Sequence, residues 1–194
     1  DVRNCPNLAI TVDLSGCKNI EDIYFDGTGI AGVILPNGGV INTLHLPASV
    51  TNLTILNQPN ITDFIIANTS NLSTLRLENV SSEVDSMAIL NNIASNSRVR
   101  LIGVNWEVST TQDVEDLYDI LDSMRGLDEN GNNMATAQVS GVITGLGTIT
   151  GAWLATMQAK YPNVTIEYEH ISSNLYYYNG ETLYYTDTSK IISY

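Results

Sequence analysis

Apolar residues recur along the first half of the chain in the pattern apolar-x-x-apolar-x-apolar, where x is any residue. The pattern occurs at Ile20-Ile23-Phe25, Ile30-Val33-Leu35, Ile41-Leu44-Leu46, Val50-Leu53-Ile55, Ile61-Phe64-Ile66 and Leu72-Leu75-Leu77. Apolar residues at every second position are typical of a β-strand with one buried face. The final residues of successive patterns, counted from Leu14, lie 9 to 11 positions apart, which leaves room only for a tight corner between strands.

Alternate patterns belong to the same wall of a repeating coil. One set ends at Leu14, Leu35, Ile55 and Leu77, and the other ends at Phe25, Leu46 and Ile66. A full coil is therefore 20 to 22 residues long, with a strand on each of two opposite walls. Glycine, proline, asparagine and serine, the residues typical of turns, fill the corners at 27–29, 36–39, 46–49 and 57–60. Repetition at this spacing predicts a solenoid, in which each coil buries its inner face against its neighbours.

The second half of the chain alternates predicted strands and helices. We expect strands at 98–103, 138–144 and 163–168 and helices at 82–94, 110–124 and 150–160. Strand–helix–strand units predict parallel strands joined by right-handed crossovers. The predicted fold is a β-rich α/β, right-handed solenoid with one long parallel sheet of about seven strands. A second short sheet backs it early, and helices back it later.

The predicted helices also have expected ends and buried faces. Thr111 suits the N-cap of the second helix, and Gly126 suits its end. The first helix is expected to bury Val84, Met87, Ala88, Leu90 and Ile93, and the second Val114, Leu117, Ile120, Leu121 and Met124.

The end of the chain differs from the solenoid. Residues 174–185 are rich in tyrosine and predict a β-hairpin that turns at Asn179 and Gly180. We therefore divide the chain into a solenoid at 1–170 and a hairpin, or linker to a following domain, at 171–194. Tyr177 and Tyr184 are candidate residues for binding a sugar or a partner, but the favoured interpretation is that these tyrosines form strands and pack on the solenoid end or on a following domain.

The charge of the chain limits its partners. Eight basic and 21 acidic side chains give a net charge of -13, which repels a phosphate backbone and disfavours nucleic-acid binding. No apolar run is long enough to cross a bilayer as a helix. The first residue is Asp1 and coils begin by Leu8 without a polar cap, so we expect the chain to be a piece of a longer polypeptide.

The two cysteines are expected to be free thiols. Cys5 and Cys17 lie about half a coil apart, which would place them at opposite corners, whereas a disulfide needs Cα atoms within about 7 Å. A free cysteine of this kind usually behaves as a small hydrophobic residue of the core.

Several segments resemble leucine-rich proteins. The strings DLSGCKNI at 13–20 and LPASVTNL at 46–53 are similar to repeats of gut-bacterial and other bacterial surface proteins. The strings TLRLENV at 74–80, NSRVRLIG at 96–103 and MRGLDENGNN at 124–133 resemble stretches of leucine-rich proteins encoded by gut Firmicutes and their phages. In those proteins the repeat block lies within a long structural or tail-associated polypeptide. The resemblance covers roughly residues 8–170, implies a two-walled leucine-rich-repeat-like solenoid, and carries over no catalytic residues.

No arrangement in the sequence is typical of an active site. His45 and His170 fall in no triad or zinc spacing, and the scattered glycines form no phosphate-binding loop. Glu167 and Glu169 are the nearest pair of carboxylates, but they lie on one side of the same strand and not across a groove. We therefore predict no catalytic residues, no enzymatic activity and no cofactor.

Residues Asp128-Glu129-Asn130-Gly131-Asn132 are the best candidate for binding a metal. Carboxylates and amides around a glycine turn suit calcium, but the spacing does not match an EF-hand and no glutamate closes the loop. An ordinary polar loop is the favoured interpretation, and a calcium site is the alternative.

The outward residues of the strands form two candidate binding columns. Residues between inward members point out, and neighbouring strands are about 4.8 Å apart. The short sheet is expected to stack Tyr24, His45 and Ile65, and the long sheet Asp13, Ile34, Thr54, Arg76 and Arg100. Arg76 and Arg100 are candidates to receive a carboxylate or a phosphorylated or acidic sugar. An ordinary exposed sheet is the favoured interpretation of both columns, and a binding surface is the alternative. Trp106 is a further exposed-aromatic candidate, although a core or edge position is the favoured interpretation.

These features predict a non-catalytic structural and interaction module. The leading hypothesis is a part of a phage virion, tail- or baseplate-associated, that presents a rigid sheet to another virion protein or to a host cell surface. The alternative is a leucine-rich-repeat adhesin, secreted or on the bacterial surface, that binds host protein or glycan. We further expect a homo-oligomer within a larger polypeptide.

Overall fold

The computed structural model describes residues 2–107, 110–144, 151–170, 176–178 and 183–185. The strands are β1 Thr11–Asp13, β2 Asp22–Tyr24, β3 Gly32–Ile34, β4 Thr43–Leu46, β5 Asn52–Gln58, β6 Asp63–Ile66, β7 Thr74–Val80, β8 Arg98–Glu107, β9 Arg125–Leu127, β10 Asn133–Met134, β11 Gln138–Thr144, β12 Thr165–His170, β13 Tyr176–Tyr178 and β14 Leu183–Tyr185. The helices are α1 Ser86–Leu90, α2 Thr111–Asp122 and α3 Gly151–Lys160. None of these helices is long and apolar enough to cross a membrane.

Two parallel sheets form the walls of a β-rich solenoid. The long sheet runs in the order β1-β3-β5-β7-β8-β11-β12, and the short sheet runs in the order β2-β4-β6. Every neighbouring pair along these two orders is parallel. The predicted division of the apolar patterns between two walls and the predicted row of about seven parallel strands are confirmed, and β9 and β10 bring the long sheet to nine strands.

The inward residues of successive coils stack in register. Leu53 pairs with Leu75, and Ile55 pairs with Leu77, so each apolar side chain lies over the equivalent one in the next coil. All four are fully buried, and Leu35 of the preceding coil is buried in the same core. The solenoid core is therefore an aliphatic ladder that only stacked coils can complete.

Asparagines form a second ladder at one corner of the long wall. Asn79 Nδ2 donates to Asn57 Oδ1 over 2.9 Å, and Asn57 Nδ2 donates to Asn37 Oδ1 over 2.7 Å. Asn57 and Asn79 have φ angles of 54° and 50°, which asparagine tolerates better than most residues. Gly103 takes over in the next coil with φ of 61°, and a Cβ there would lie 2.4 Å from Asn79 Oδ1. Positive φ and side-chain pairing together explain why asparagine occupies these corners.

The first predicted helix is much shorter than expected. Only Ser86–Leu90 is helical, because Asp85 caps it by accepting from Ala88 N–H and Ser81 holds the preceding residues in a turn. The expected burial of Ala88 is wrong, because Ala88 is exposed; Met87 is half-buried and packs against the core, and Ser86 and Ile89 are buried. Val84, Leu90 and Ile93 are buried as predicted.

The second helix agrees with the prediction except at its two ends. Its N-cap is Thr110 and not Thr111, because Thr110 and Asp113 bond reciprocally in a capping box. The apolar stripe packs on the core as expected, and Tyr118 is buried with it. Gly126 does not end the helix but lies within β9.

A small hairpin follows α2. β9 pairs parallel with β8 and antiparallel with β10, so residues 128–132 form the turn of this hairpin. Gly126 is required here because a Cβ at that position would lie 1.7 Å from the carbonyl oxygen of Thr136. This hairpin was not predicted from the sequence.

The last two solenoid units and the terminal hairpin follow the prediction. β11, α3 and β12 begin and end within two residues of the expected positions. β13 and β14 pair antiparallel, with Tyr177 opposite Tyr184 and Tyr178 opposite Leu183. The predicted turn at Asn179 and Gly180 lies outside the described residues.

Both cysteines are free, as predicted, but neither lies in the core. Cys5 and Cys17 are exposed, so the expected role as small core residues is wrong. Both lie in the turn-rich segment at the first coil, where most residues are exposed.

Candidate functional site

The outward column of the short wall forms as the sequence predicts. Tyr24 pairs with His45, and His45 pairs with Ile65, so the three side chains lie side by side on neighbouring strands. The Tyr24 and His45 rings meet edge to face with centroids 5.0 Å apart. The Arg3 guanidinium lies over the Tyr24 ring, with its Cζ atom 4.9 Å from the ring centroid, in a cation–π contact. Ile65 is the most accessible of the column, with 45% of its surface exposed.

Two carboxylates that the sequence analysis missed flank the central histidine of this column. His45 Nδ1 lies 3.3 Å from Asp26 Oδ2, and His45 Nε2 lies 3.0 Å from Asp63 Oδ2. A protonated imidazole donates to both carboxylates, whereas a neutral ring donates through only one nitrogen. Asp63 had a detectable signal: it lies two residues before Ile65 in β6, on the same outward side of the strand.

The outward column of the long wall is also in register. Asp13 pairs with Ile34, Ile34 with Thr54, Thr54 with Arg76, and Arg76 with Arg100. The predicted stacking of these five residues is therefore confirmed. Ile34 exposes 47% of its surface, so the early part of this wall is accessible.

The two arginines of this column are not open to an external carboxylate, which corrects the sequence-based expectation. Glu78, two residues after Arg76 in β7, accepts hydrogen bonds of 2.7 Å at the same Oε1 atom from Arg76 Nε and Arg100 Nε. Burial raises the pKa of Glu78, but the hydrogen bonds and charges of the two arginines outweigh it and hold that pKa below its ordinary value. The chain thus supplies its own carboxylate to the pair.

The β9–β10 turn lies over the same arginines. Arg76 Nη2 donates to the carbonyl oxygen of Glu129 over 2.8 Å, and Arg100 Nη1 donates to that of Leu127 over 3.5 Å. Strand contacts of β9 with β8 hold the hairpin from the other side. The arginine pair therefore positions a structural hairpin on the outer face of the long wall.

The candidate calcium loop uses its carboxylate internally. Asp128 accepts from the side-chain and backbone N–H groups of Asn132 and from Asn130 N–H, all over 2.8 Å. The Asn132 bonds in particular hold the pKa of Asp128 below its ordinary value. Among the described residues, no three His, Cys, Asp or Glu side chains are placed to hold a metal ion. These contacts are those of a polar turn.

Trp106 lies in the core, as the favoured interpretation has it, so its candidacy as an exposed aromatic binding residue is wrong. Only 1% of its surface is exposed. The pairing of β8 with β11 shifts by one residue between Leu101 and Val104, where Gly103 has its positive φ. This β-bulge reverses which residues point inward, so Val104 and Trp106 are buried after Leu101.

A groove lies between β6 and α1, and no pattern in the sequence indicates it. Its volume is about 490 Å³, and Ile65 of the short-wall column lines it together with Phe64, Ile66, Ile89, Glu83 and Asp85. The short-wall column and the groove therefore form one continuous surface. Of the terminal tyrosines, Tyr177 and Tyr184 are brought together by strand pairing.

Comparisons with known proteins give no independent indication of function. No family model, no curated protein and no solved structure matches the chain significantly. An assignment of function therefore rests on the geometry of the two walls and of the groove, together with the resemblance of the sequence strings described above.

Proposed function

We propose that the chain is a non-catalytic structural and interaction module of a phage virion, tail- or baseplate-associated. In this proposal a leucine-rich-repeat-like solenoid presents a rigid sheet surface to another virion protein or to a host cell surface. The observation that carries the interaction role is the register of Tyr24, His45 and Ile65 on the short wall. Parallel ladders on both walls hold this column at fixed spacing, which lowers the entropic cost of binding.

The virion assignment rests on the resemblance of the strings at 74–80, 96–103 and 124–133 to phage-encoded leucine-rich proteins. It is tested with an antibody raised against this chain. Purified phage particles from the source strain are expected to be labelled at the tail. Labelling of intact, uninfected cells and not of particles would overturn the virion assignment in favour of the adhesin.

The bacterial surface adhesin is the second candidate function. An aromatic ring beside carboxylates, as in the group of Tyr24, His45, Asp26 and Asp63, is a common way to bind sugar rings and their hydroxyl groups. The strings at 13–20 and 46–53, which resemble bacterial surface proteins, also favour it.

Replacing both Tyr24 and His45 with alanine is expected to weaken binding of the purified chain to its target surface by at least about tenfold. Tyrosine is enriched among the few residues that contribute most of the binding energy of an interface. Binding of fluorescently labelled chain to host cells and to purified phage particles is the measurement. The matched control is Ile34→Ala with Thr54→Ala, two outward residues of the other wall. Equal binding by the Tyr24→Ala, His45→Ala double variant and the unmodified chain would show that the short-wall column is not part of the binding surface.

A further inference from the structure

The short sheet ends in an open strand edge at β6. Within the described residues β6 pairs with β4 alone, through Asp63 N–H to Asn42 O and Ala67 N–H to Leu46 O, both 3.1 Å. Alternate residues of a parallel strand bond to opposite neighbours, so the backbone groups of Phe64 and Ile66 face away from β4. An edge strand of this kind is a template for one more strand.

A helix stands where the next strand of the short wall would lie. α1 is held to the corner by Thr69 Oγ1, which donates to Ile89 O over 3.2 Å. The helix does not close over β6, and the groove of about 490 Å³ separates them. Phe64 and Ile66 are consequently only half-buried, whereas Leu44 and Leu46, their counterparts in β4, are fully buried. The floor of the groove is therefore apolar and incompletely covered.

The charges at the groove select one kind of occupant. Glu83 and Asp85 line it and are exposed, and none of the residues that line it is basic. A second copy of the chain would bring another net charge of -13 to this acidic rim, which disfavours pairing of two copies through this groove. A positively charged segment complements the rim.

We propose that the groove binds an extended, lysine- or arginine-bearing segment of a partner protein, which adds to the free edge of β6 as a fourth strand of the short wall. Main-chain hydrogen bonds to Phe64 and Ile66 hold the segment, alternate apolar side chains fill the floor, and basic side chains reach Glu83 and Asp85. This proposal rests on the proposed function and names the chemistry of the partner. β6 is four residues long, so the docked strand is about 13 Å in length.

Three synthetic peptides separate strand addition from simple charge attraction. The first is a capped hexapeptide of alternating lysine and valine, the second replaces lysine with glutamate, and the third is the lysine peptide with alternate backbone nitrogens methylated. In an NMR titration we expect the first to shift the amide signals of residues 64–67 and the other two to bind at least about tenfold more weakly. Equal binding of the methylated peptide, or signal shifts confined to other surfaces, would overturn strand addition.

The role of the acidic rim is tested by a pair of double variants that remove the same charge inside and outside the groove. Glu83→Gln with Asp85→Asn removes two charges, and asparagine still caps α1. The Kd of the lysine peptide is expected to rise about 2- to 30-fold, as the loss of two exposed ion pairs implies. Glu21→Gln with Asp122→Asn removes the same charge outside the groove and is expected to change the Kd less than about twofold. Equal effects of the two double variants would overturn the role of the rim.

Two outcomes distinguish this proposal from the function on which it rests. If the lysine peptide fails to bind but Tyr24→Ala with His45→Ala still abolishes surface binding, strand addition is wrong and the interaction module stands. If sedimentation equilibrium shows a dimer that Ile65→Asp dissociates, the groove belongs to a second copy and the proposal is overturned.

Discussion

Replacing Leu75 with alanine is expected to lower the free energy of unfolding by about 2–5 kcal/mol. The Leu75 side chain is fully buried and stands in register between Leu53 and Val99, so its removal leaves a cavity shared by three coils. The neighbouring ladder is held by backbone pairing on both sides, which limits how far it can collapse into that cavity. Urea denaturation followed by circular dichroism measures the change.

The control for this substitution is an outward residue of the same wall. Ile34 exposes nearly half of its surface, and Ile34→Ala is expected to change the free energy of unfolding by less than about 0.5 kcal/mol. Leu53→Ala, in the equivalent position one coil earlier, is expected to cost about as much as Leu75→Ala. A loss below about 1 kcal/mol at both leucines would show that the register of the core ladder is wrong.

The repeating walls were predictable because period and burial are coupled in a solenoid. Each coil places the same apolar side chains inward, so the spacing of residues such as Leu53 and Leu75 is sufficient to set both the strand and its neighbour. The outward column of Tyr24, His45 and Ile65 follows from the same register without further information.

Departures from the repeat have local causes that periodicity does not contain. Trp106 is buried because the bulge at Gly103 reverses the alternation of β8, and a lone glycine in a strand is only a weak sign of a bulge. The first helix is short because Ser81 and Asp85 bond to the backbone in competition with helical bonds.

The candidate surfaces were only partly predictable, for two different reasons. Glu78 was missed although alternation in β7 places it on the same face as Arg76, two residues away. The groove beside β6 carries no pattern of its own, because it arises where a helix, wider than a strand, replaces one strand of a stacked wall. Residues 64–66 and 83–92 meet there only through the stacking of coils.

Glu78 joins Arg76 and Arg100 on the outer face of the long wall. Its Oε1 accepts from both arginines, which in turn bond to the carbonyl oxygens of Glu129 and Leu127 in the β9–β10 hairpin. Removing the charge leaves two neighbouring guanidinium groups without an anion between them. Glu78→Gln is therefore expected to lower the free energy of unfolding at pH 7 by about 1–2 kcal/mol, a value reduced from that of a fully buried pair because water reaches the site.

The pH dependence separates the charge of Glu78 from its shape. Its pKa is below the ordinary value of 4.5 in the folded chain, so the stabilisation is fully present above pH 4.5 and is lost as the pH falls through the folded pKa. The difference in unfolding free energy between the unmodified chain and Glu78→Gln is thus expected to shrink on acidification from pH 7 to pH 3. Glu129→Gln, whose backbone oxygen alone contacts Arg76, is expected to show no such difference at either pH. A difference that stays constant between pH 7 and pH 3 would assign the effect of Glu78→Gln to packing and not to its charge.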